Sequence, residues 1–394
     1  MTDPEFTPTR AAAFARLDAF APEAGAAYAR ERGLDIAGHP HVSRLSPYLR
    51  HRALTEAEVA ATLPDDAEKF RSELMWRTYF KGWLERRPVT WAAYRQGVTS
   101  ARDRLATESG LRQGWEEACE GRTGIAPFDA WAAELARTGY LHNHARMWFA
   151  SIWVHTLRLP WELGADFFLR HLLDGDPASN TLSWRWVAGL HTRGKPYAAD
   201  AEAIASLTGG RFEAAPLARQ LTPPDRVTAL TGPEPPEPGP VPTGDALPRT
   251  GRIGLLLHDD DLHPDFLFAR GLNPHGVAVL TAVAGRSPLK VARRVHAFTE
   301  ALARDAADRV DAPTGPVGPE AEALSDWAND FDHIVAPHAP TGPTRTALDD
   351  LPFPTIRPLR AWDAAAWPHA TAGFFRFRRK MGDILATLPQ DMGG

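Results

Sequence analysis

LLDGDPASNTLSWRW, at residues 172–186, is the most informative segment of this sequence for its fold. Asp174 and Asp176 flank a glycine in a tight turn inside an otherwise apolar run. Asn180 follows one helical turn later. Carboxylates that are buried among apolar residues need cationic partners. The stretch therefore predicts either a solvated surface turn or a polar site inside the core of a helical domain.

TGYLHNHARM, at residues 138–147, supplies a partner for these carboxylates. Asn143, Arg146 and Met147 lie three and four residues apart, so one helical face presents an amide, a guanidinium and a thioether to the same cavity. An amphipathic helix also produces such a face by chance. We expect Arg146 to be the cation that pairs with the acidic turn.

Two earlier segments have a similar mixture of polar and aromatic residues. SRLSPYL, at 43–49, places hydroxyls and a guanidinium before a helix, which suits a pyrophosphate but also an ordinary helix cap. ELMWRTYF, at 73–80, is the second segment. Its Glu73, Trp76 and Arg77 share one helical face, so a carboxyl group lies beside an indole that can stack on a flipped-out base. A surface pair of glutamate and arginine has the same spacing.

The bulk composition limits the classes of protein that this chain can be. Its 394 residues, 44% of them hydrophobic, are enough for two domains. The single cysteine, Cys119, excludes an intrachain disulfide and a multi-cysteine metal site, and it fits a cytoplasmic location. We identify no signal peptide and no run of the roughly 20 apolar residues that a membrane span needs. A net charge of −5 gives no general attraction to polyanions, so any nucleic-acid contact requires a local basic surface.

The sequence texture divides the chain into three parts. Residues 1–215 place apolar residues three and four apart and predict an all-helical domain, with Thr55 and Glu58 forming a capping box. Residues 216–250 are rich in proline and predict a semi-rigid linker. Residues 251–394 predict a smaller α/β domain of Rossmann-like type, because short apolar runs alternate with helical patterns. Its strands are predicted at RIGLLLH (252–258), GVAVLTAVA (276–284), HIVAPH (333–338) and TIRPLR (355–360), with a helix over 288–310.

Two polar segments of the second half allow more than one interpretation. His258, the acidic run 259–261 and His263 contain metal-ligand residue types, but we interpret them as a solvated loop at a strand end and predict no metal site. FFRFRRK, at 374–380, either contacts DNA or places its phenylalanines inward and its arginines outward in a terminal helix.

In their order and spacing, the four segments between residues 43 and 186 resemble the FAD-binding helical domain of the DNA photolyase and cryptochrome family. The resemblance implies FAD as the cofactor. It further implies that Arg146 pairs with Asp174, that Asp176 contacts the cofactor and that Asn180 faces flavin N5. The cofactor-binding residues that it implies are Tyr28, Arg32, Ser43, Arg44, Leu45, Ser46, Arg77, Asn143, Arg146, Asp174, Asp176 and Asn180.

The same resemblance implies a substrate pocket for UV-damaged DNA. Glu73 would hydrogen-bond a pyrimidine dimer and Trp76 would stack against it, with Asn143, Met147 and Trp186 as further walls. Enzymes of the family that act on (6-4) photoproducts carry histidines at the positions that match Asn143 and Met147. The asparagine and methionine of this chain therefore favour cyclobutane dimers as the substrate.

The resemblance also implies a row of tryptophans that carries electrons to the flavin. Trp184 and Trp161 match its first and second members. The expected place of the third member holds no tryptophan. Trp91, Trp115, Trp148 and Trp153 are either substitutes for it or ordinary core residues.

We expect from this resemblance a light-driven lyase that splits cyclobutane pyrimidine dimers. The alternative is a cryptochrome-like photosensor, or another FAD-binding flavoprotein without repair activity, that signals to a protein partner. In the family an α/β antenna domain ordinarily precedes the helical domain, whereas here the motifs begin near residue 43. We therefore expect a photolyase-like bacterial branch without that N-terminal antenna domain.

Overall fold

The structure, a computed structural model, describes residues 6–386. Its first half is helical throughout the described residues, as the apolar spacing predicts. A short π-helix, Ile152–Thr156, continues the ninth helix. The helices of this half are α1 (Arg10–Phe20), α2 (Ala26–Glu31), α3 (Ser46–Arg50), α4 (Glu56–Thr62), α5 (Glu68–Glu85), α6 (Pro88–Thr107), α7 (Ser109–Glu120), α8 (Ala126–Thr138), α9 (Asn143–Ser151), α10 (Trp161–His171), α11 (Pro177–Val187), α12 (Ala201–Leu207) and α13 (Ala214–Gln220).

Helix α5 is the centre of the helical half. It packs against α11, which in turn contacts α9 and α10. Four tryptophans fill the core around these helices, Trp131, Trp148, Trp153 and Trp184, each at most 2% exposed. Helix α4 begins with the predicted capping box, in which Thr55 Oγ1 accepts from Glu58 N and the Glu58 carboxylate accepts from Thr55 N.

The proline-rich segment after α13 has no regular secondary structure between residues 227 and 252. It is hydrogen-bonded to both halves of the molecule. Gly239 N donates to Arg86 O over 2.7 Å, and Asp245 N donates to Arg357 O over 3.2 Å. Because prolines lack a backbone donor, this segment, the proline-rich strap of residues 227–252, is held by isolated hydrogen bonds rather than by a ladder.

The second half contains one parallel sheet with the strand order β3-β2-β1-β4. Strands β1, β2 and β4 and the long helix α15 lie where the sequence predicts them. The elements of this half are β1 (Ile253–His258), α14 (Asp265–Phe268), β2 (Gly276–Leu280), α15 (Arg293–Asp308), β3 (Thr314–Gly318), α16 (Ala321–Ala328), β4 (His333–Val335), α17 (Pro343–Asp349), α18 (Ala361–Ala366), α19 (Phe374–Arg378) and α20 (Met381–Ala386).

In this half one strand was not predicted, and one predicted strand was wrong. Strand β3 was not predicted, because its sequence TGPVG contains a proline and two glycines, which a strand tolerates at the edge of a sheet. The predicted strand at 355–360 is reduced to one parallel bridge, Val335 to Ile356. Pro358 cannot donate to a ladder, and this limits the pairing there.

The carboxyl end of the sheet packs directly on the helical half. Leu262 N, just beyond β1, donates to His51 O over 2.9 Å, and Ala292 N donates to Arg170 O over 3.0 Å. Among the described residues, no helix has the length and apolar content to cross a bilayer.

Candidate functional site

The acidic turn between α10 and α11 is buried rather than solvated, and Arg146 pairs with it as expected. Arg146 Nη1 and Nη2 lie 3.1 Å and 2.9 Å from Asp174 Oδ1 and Oδ2. Burial alone would raise the pKa of Asp174, but the charge and hydrogen bonds of Arg146 reverse this, so the pKa lies below its usual range. Arg146 also donates from Nε to Leu141 O over 2.9 Å, which fixes the guanidinium plane.

Asp176 is the N-cap of helix α11 and faces two cations of helix α5. Its Oδ1 accepts from Ser179 N over 2.7 Å. Its Oδ2 lies 3.8 Å from both Arg77 Nη1 and Lys81 Nζ. Burial raises the pKa of Asp176, but the nearby cations, Lys81 foremost, outweigh burial and lower it. The carboxylate is therefore ionised near neutral pH.

The SRLSPYL segment reaches this turn through Ser46, whose hydroxyl hydrogen-bonds Asp174. Arg44 donates from Nη1 to Gly38 O over 3.3 Å, and its guanidinium lies 5.8 Å from the centre of the Tyr140 ring. Arg146 lies 5.5 Å from the same ring. The segments SRLSPYL, TGYLHNHARM and LLDGDPASNTLSWRW thus meet close to Tyr140.

Ser43, Leu45 and Asn180, also predicted to bind the cofactor, contact other groups of the chain. Ser43 Oγ accepts from Leu45 N over 3.4 Å, and Leu45 itself is fully buried as the N-cap of α3. Asn180 donates from Nδ2 to Ala165 O over 2.8 Å. This hydrogen bond uses the amide donor and orients the side-chain carbonyl of Asn180.

A second polar group lies on α5 one turn before Arg77. Glu73 Oε1 lies 2.9 Å from Lys69 Nζ and 3.3 Å from Arg32 Nη1. Burial, followed by the charge of Glu73, raises the pKa of the Tyr28 hydroxyl. Glu73 also acts electrostatically on His144. Tyr28 and Arg32 therefore lie beside the predicted substrate carboxylate.

Asn143 and Met147 lie one turn apart at the start of α9, where Asn143 Nδ2 approaches Met147 Sδ at 3.7 Å. The preceding His142 is buried and stacks between two other histidines, His39 and His144, at centroid distances of 5.9 Å and 5.7 Å. Burial, followed by the electrostatic influence of its neighbours, lowers the pKa of His142 to about 3. The ring is therefore neutral at physiological pH.

The indole of Trp76 is stacked on a phenylalanine from the far end of the chain. Its ring centroid lies 3.6 Å from that of Phe374, with 11° between the planes. The neighbouring Tyr79 donates from its hydroxyl to Ala372 O over 2.7 Å. The C-terminal segment thus covers Trp76, the residue predicted to stack on a base, together with its neighbour Tyr79.

The three other predicted tryptophans lie in different surroundings. Trp184 packs against Phe168 at 5.1 Å and against Trp153 at 6.1 Å. Trp161 lies 5.7 Å from Tyr94, and Trp186 stacks on Tyr197 at 5.3 Å. Trp153, one of the sequence alternatives, is therefore the indole in contact with Trp184.

The polar cluster 258–263 is buried against the helical half, so its interpretation as a solvated loop was wrong. Arg50 pairs with Asp260 and donates from Nε to Gly175 O over 2.9 Å. The counter-charges that allow this burial come from helix α3, far away in sequence. The acidic turn and the end of strand β1 are thereby joined by one arginine.

A second group of ion pairs lies beside the pair of Arg50 and Asp260. Asp261 accepts from Arg360 Nε and Nη2 over 2.5 Å and 2.6 Å, and from Arg52 Nη1 over 3.2 Å. Arg52 also binds both oxygens of Asp363 at 2.7 Å. Burial opposes the ionisation of Asp261, but Arg360 and Arg52 hold its pKa well below the usual range.

Comparison with known proteins connects the helical region with a family. Residues 70–208 match the family model described as the FAD binding domain of DNA photolyase. The helical region of this chain is similar to the DNA photolyase and cryptochrome family. The cofactor of the matched domain is FAD.

Two curated photolyases illustrate how far the similarity extends. The deoxyribodipyrimidine photo-lyase of Streptomyces griseus is 36% identical over 167 residues, which are 41% of this chain and 35% of that protein. The enzyme of Thermus thermophilus is 36% identical over 201 residues, 48% of this chain and 45% of its own. The chain therefore spans less than half the length of these relatives. A class III photolyase structure from Agrobacterium tumefaciens aligns with 52% of this chain and 43% of its own, at 26% identity and a TM-score of 0.42.

The residues around Asp176 suit the pyrophosphate of the photolyase cofactor. Within residues 6–386, Arg77 Nη1, Lys81 Nζ and Ser179 Oγ are buried and lack a hydrogen-bond partner. Buried donors without acceptors are costly, and a bound anion satisfies them. The donor set at this end of the site therefore fits FAD.

Three residues of this buried polar site were not predicted from the sequence. Lys81 lies four residues after Arg77 on the same stripe of α5, so its spacing carried a usable signal. Arg50 and Arg286 contact the backbone of the acidic turn, Arg286 through Nη1 and Leu172 O at 3.3 Å. Neither arginine has a local pattern that connects it with the turn.

Proposed function

We propose that this protein is an FAD-dependent, light-driven DNA repair enzyme that splits cyclobutane pyrimidine dimers, as a deoxyribodipyrimidine photo-lyase does. One observation carries the proposal. The pair of Arg146 with Asp174 and the cations beside Asp176 form one buried polar site inside a region that matches the photolyase FAD domain. When bound and reduced, FAD supplies the photoexcited electron that opens the cyclobutane ring, and the electron then returns, so no net oxidation results.

The residues of the chain bind and orient the cofactor. Arg77 and Lys81 carry the buried donors for its phosphates. Asp174 is held ionised by Arg146 and presents a fixed carboxylate. Asn180, anchored to Ala165 O, offers an uncharged acceptor next to the ring system. These contacts support a site that is organised before the cofactor arrives.

The substrate side is formed by Glu73, Trp76, Asn143 and Met147. Glu73 would accept hydrogen bonds from the dimer, and Trp76 would stack on it. The asparagine and methionine support a cyclobutane dimer rather than a (6-4) photoproduct. For a base to reach Trp76, Phe374 has to leave the indole, because the two rings are already in full stacking contact.

The same stack favours a second candidate function. A site closed by the chain's own phenylalanine needs no DNA, which suits a cryptochrome-like photosensor or another FAD-binding flavoprotein without repair activity. Such a protein would signal through its C-terminal half to a protein partner, since that half carries Phe374. The presence of Glu73, Asn143 and Met147 supports repair over this alternative.

A repair assay separates the two functions. FAD-loaded protein is mixed with an oligonucleotide that contains a cyclobutane thymine dimer, reduced and exposed to blue light, and the restored thymines are measured. We expect light-dependent repair by the wild type and repair slower by at least an order of magnitude in Glu73→Ala. Glu68→Ala, an exposed glutamate on the same helix, is the matched control. Bound FAD without any repair would favour the photosensor.

The proposal includes a fold assignment for the α/β half of the chain. The parallel strand order β3-β2-β1-β4 is that of one half of a doubly wound fold and supports a Rossmann-like assignment. We propose domain boundaries near residues 215 and 250. The first of these lies within α13 (Ala214–Gln220), and the proline-rich strap follows this helix. A cytoplasmic location is part of the same proposal.

A further inference from the structure

The C-terminal segment that covers Trp76 has two chemically different sides. Phe374 and Phe377 are buried and contact Tyr79 at centroid distances of 5.7 Å and 5.5 Å. Arg376, Arg378 and the two residues that follow face outwards. The helical spacing of this segment therefore places Phe374 and Phe377 inward and the cations outward, and the inward side fixes its place on α5.

The outward side is strongly basic in a chain whose net charge is −5. Arg376, Arg378, Arg379 and Lys380 are all exposed, and Asp383 is the one carboxylate of α19 and α20. Asp383 pairs with Lys380 at 3.0 Å. The three arginines have no ion-pair partner within residues 6–386. Exposed cations that are not neutralised by the protein are available to an external polyanion.

An exposed aromatic ring accompanies these cations. Phe375 is 72% exposed, although it lies between the buried Phe374 and the first arginine. Aromatic rings interleaved with arginines are typical of surfaces that bind nucleic acids, where rings stack on bases and guanidinium groups hold phosphates. The position of this surface matters as much as its charge, because Phe374 anchors it directly on Trp76.

We propose that the surface formed by Phe375, Arg376, Arg378, Arg379 and Lys380 binds the DNA backbone beside the flipped-out dimer. The proposal rests on the repair function and names the surface that holds the strand. Phe374 has to leave the indole before a base can reach Trp76. The arginines that follow Phe374 in the chain would then lie beside the phosphates that flank this base. The segment lies outside residues 70–208, the part of the chain that matches the photolyase domain.

The test measures the affinity of the FAD-loaded full chain for a fluorescent duplex with one cyclobutane dimer, by anisotropy in the dark over a salt series. Arg376→Ala, Arg378→Ala and Arg379→Ala are combined in one variant. We expect at least a tenfold weaker Kd at low salt and a salt dependence that is flatter by about 2 to 3 in log–log slope, since each lost phosphate contact removes about 0.9. The corresponding triple lysine variant retains charge and should bind nearly as the wild type does.

The matched control removes the same charge elsewhere. It combines Arg112→Ala, Arg137→Ala and Arg219→Ala, which are exposed on α7, α8 and α13. Equal binding by the two triple alanine variants, with wild-type repair intact, would overturn the surface while leaving the repair function in place. If the wild type itself does not bind the dimer duplex at low salt, both the repair function and the surface are refuted.

Discussion

On one stripe of helix α5, Arg77 and Lys81 direct buried donors towards Asp176, and some of these donors have no acceptor. On the neighbouring stripe, Trp76 and Tyr79 are covered by the aromatic C-terminal segment. The first stripe, the cofactor side, therefore has buried donors available for a ligand. The second stripe, the substrate side, is covered by the chain itself. A ligand on the first side adds contacts, but a ligand on the second side has to replace them.

Among these substitutions, Asp174→Asn should have the largest effect on the cofactor side of α5. The amide keeps the shape but leaves the guanidinium of Arg146 without its counter-charge, which costs about 3 kcal/mol of unfolding free energy in a buried pair. We expect purified protein with little bound FAD and a lower urea midpoint. Flavin absorbance after purification and urea unfolding measure the two effects.

Asp103→Asn, an exposed change in α6, is the control for this substitution. Full flavin content and an unchanged midpoint in Asp174→Asn would remove the acidic turn from the cofactor site.

The two sides also differ in the histidine that each one holds. His142 lies beside the cofactor side, and its pKa falls to about 3. His191 contacts Tyr79 on the substrate side, and burial, helped by Arg185 and Arg87, lowers its pKa to about 4. Because both folded-state values lie below the value of 6.5 for an unfolded chain, the unfolded state takes up the proton first and stability is lost as the pH falls below 6.5.

Replacing either histidine by glutamine should remove its share of this acid sensitivity. One proton corresponds to about 1.4 kcal/mol per pH unit, so each variant should lose about 2 kcal/mol less than the wild type between pH 6.5 and about pH 5. Urea unfolding at both pH values gives the difference. A variant with the wild-type pH slope would show that its histidine is protonated in the folded state.

The substitution Phe374→Ala tests the substrate side of α5. Removing the ring frees the face of Trp76, and an aromatic pair contributes about 0.5–1.5 kcal/mol beyond area burial. We therefore expect up to about tenfold tighter binding of a dimer oligonucleotide in the dark. Phe375→Ala should weaken rather than tighten binding, because that exposed ring belongs to the proposed DNA surface and does not cover the indole. Unchanged affinity in Phe374→Ala would mean that DNA does not use this face.

The smallest expected effect is that of Trp184→Phe on the photoreduction of the flavin. Trp184 contacts Trp153 and Phe168, so neighbouring rings offer a parallel route and the rate should fall only a few-fold. Flash photolysis with an external reductant measures this rate. A rate equal to that of the wild type would assign the electrons to another path.

The local parts of this structure were predictable from sequence. The apolar period gave the helices, and the spacing of Thr55 and Glu58 gave a capping box that the structure contains. Arg146 and Asp174 were paired correctly, because a buried carboxylate requires a cation and the arginine is the one that the motif offers. In each case the decisive interaction is between residues close in sequence or dictated by charge balance.

The parts that failed depend on contacts between distant segments. The acidic residues after β1 resembled a solvated loop, since their arginine partners lie on α3 and beyond residue 359. The stack of Phe374 on Trp76 has no local signal either. An inward phenylalanine in a terminal helix predicts burial, but it does not predict what the ring is buried against.

The arginine that bridges the two halves has a consequence for how the chain folds. Arg50 meets Asp260 across 210 positions of sequence, and both side chains are removed from water. Separating the helical half from the sheet would break this buried ion pair, and the loss of one partner of such a pair costs about 3–5 kcal/mol. We therefore expect the helical half and the sheet to unfold together rather than one after the other.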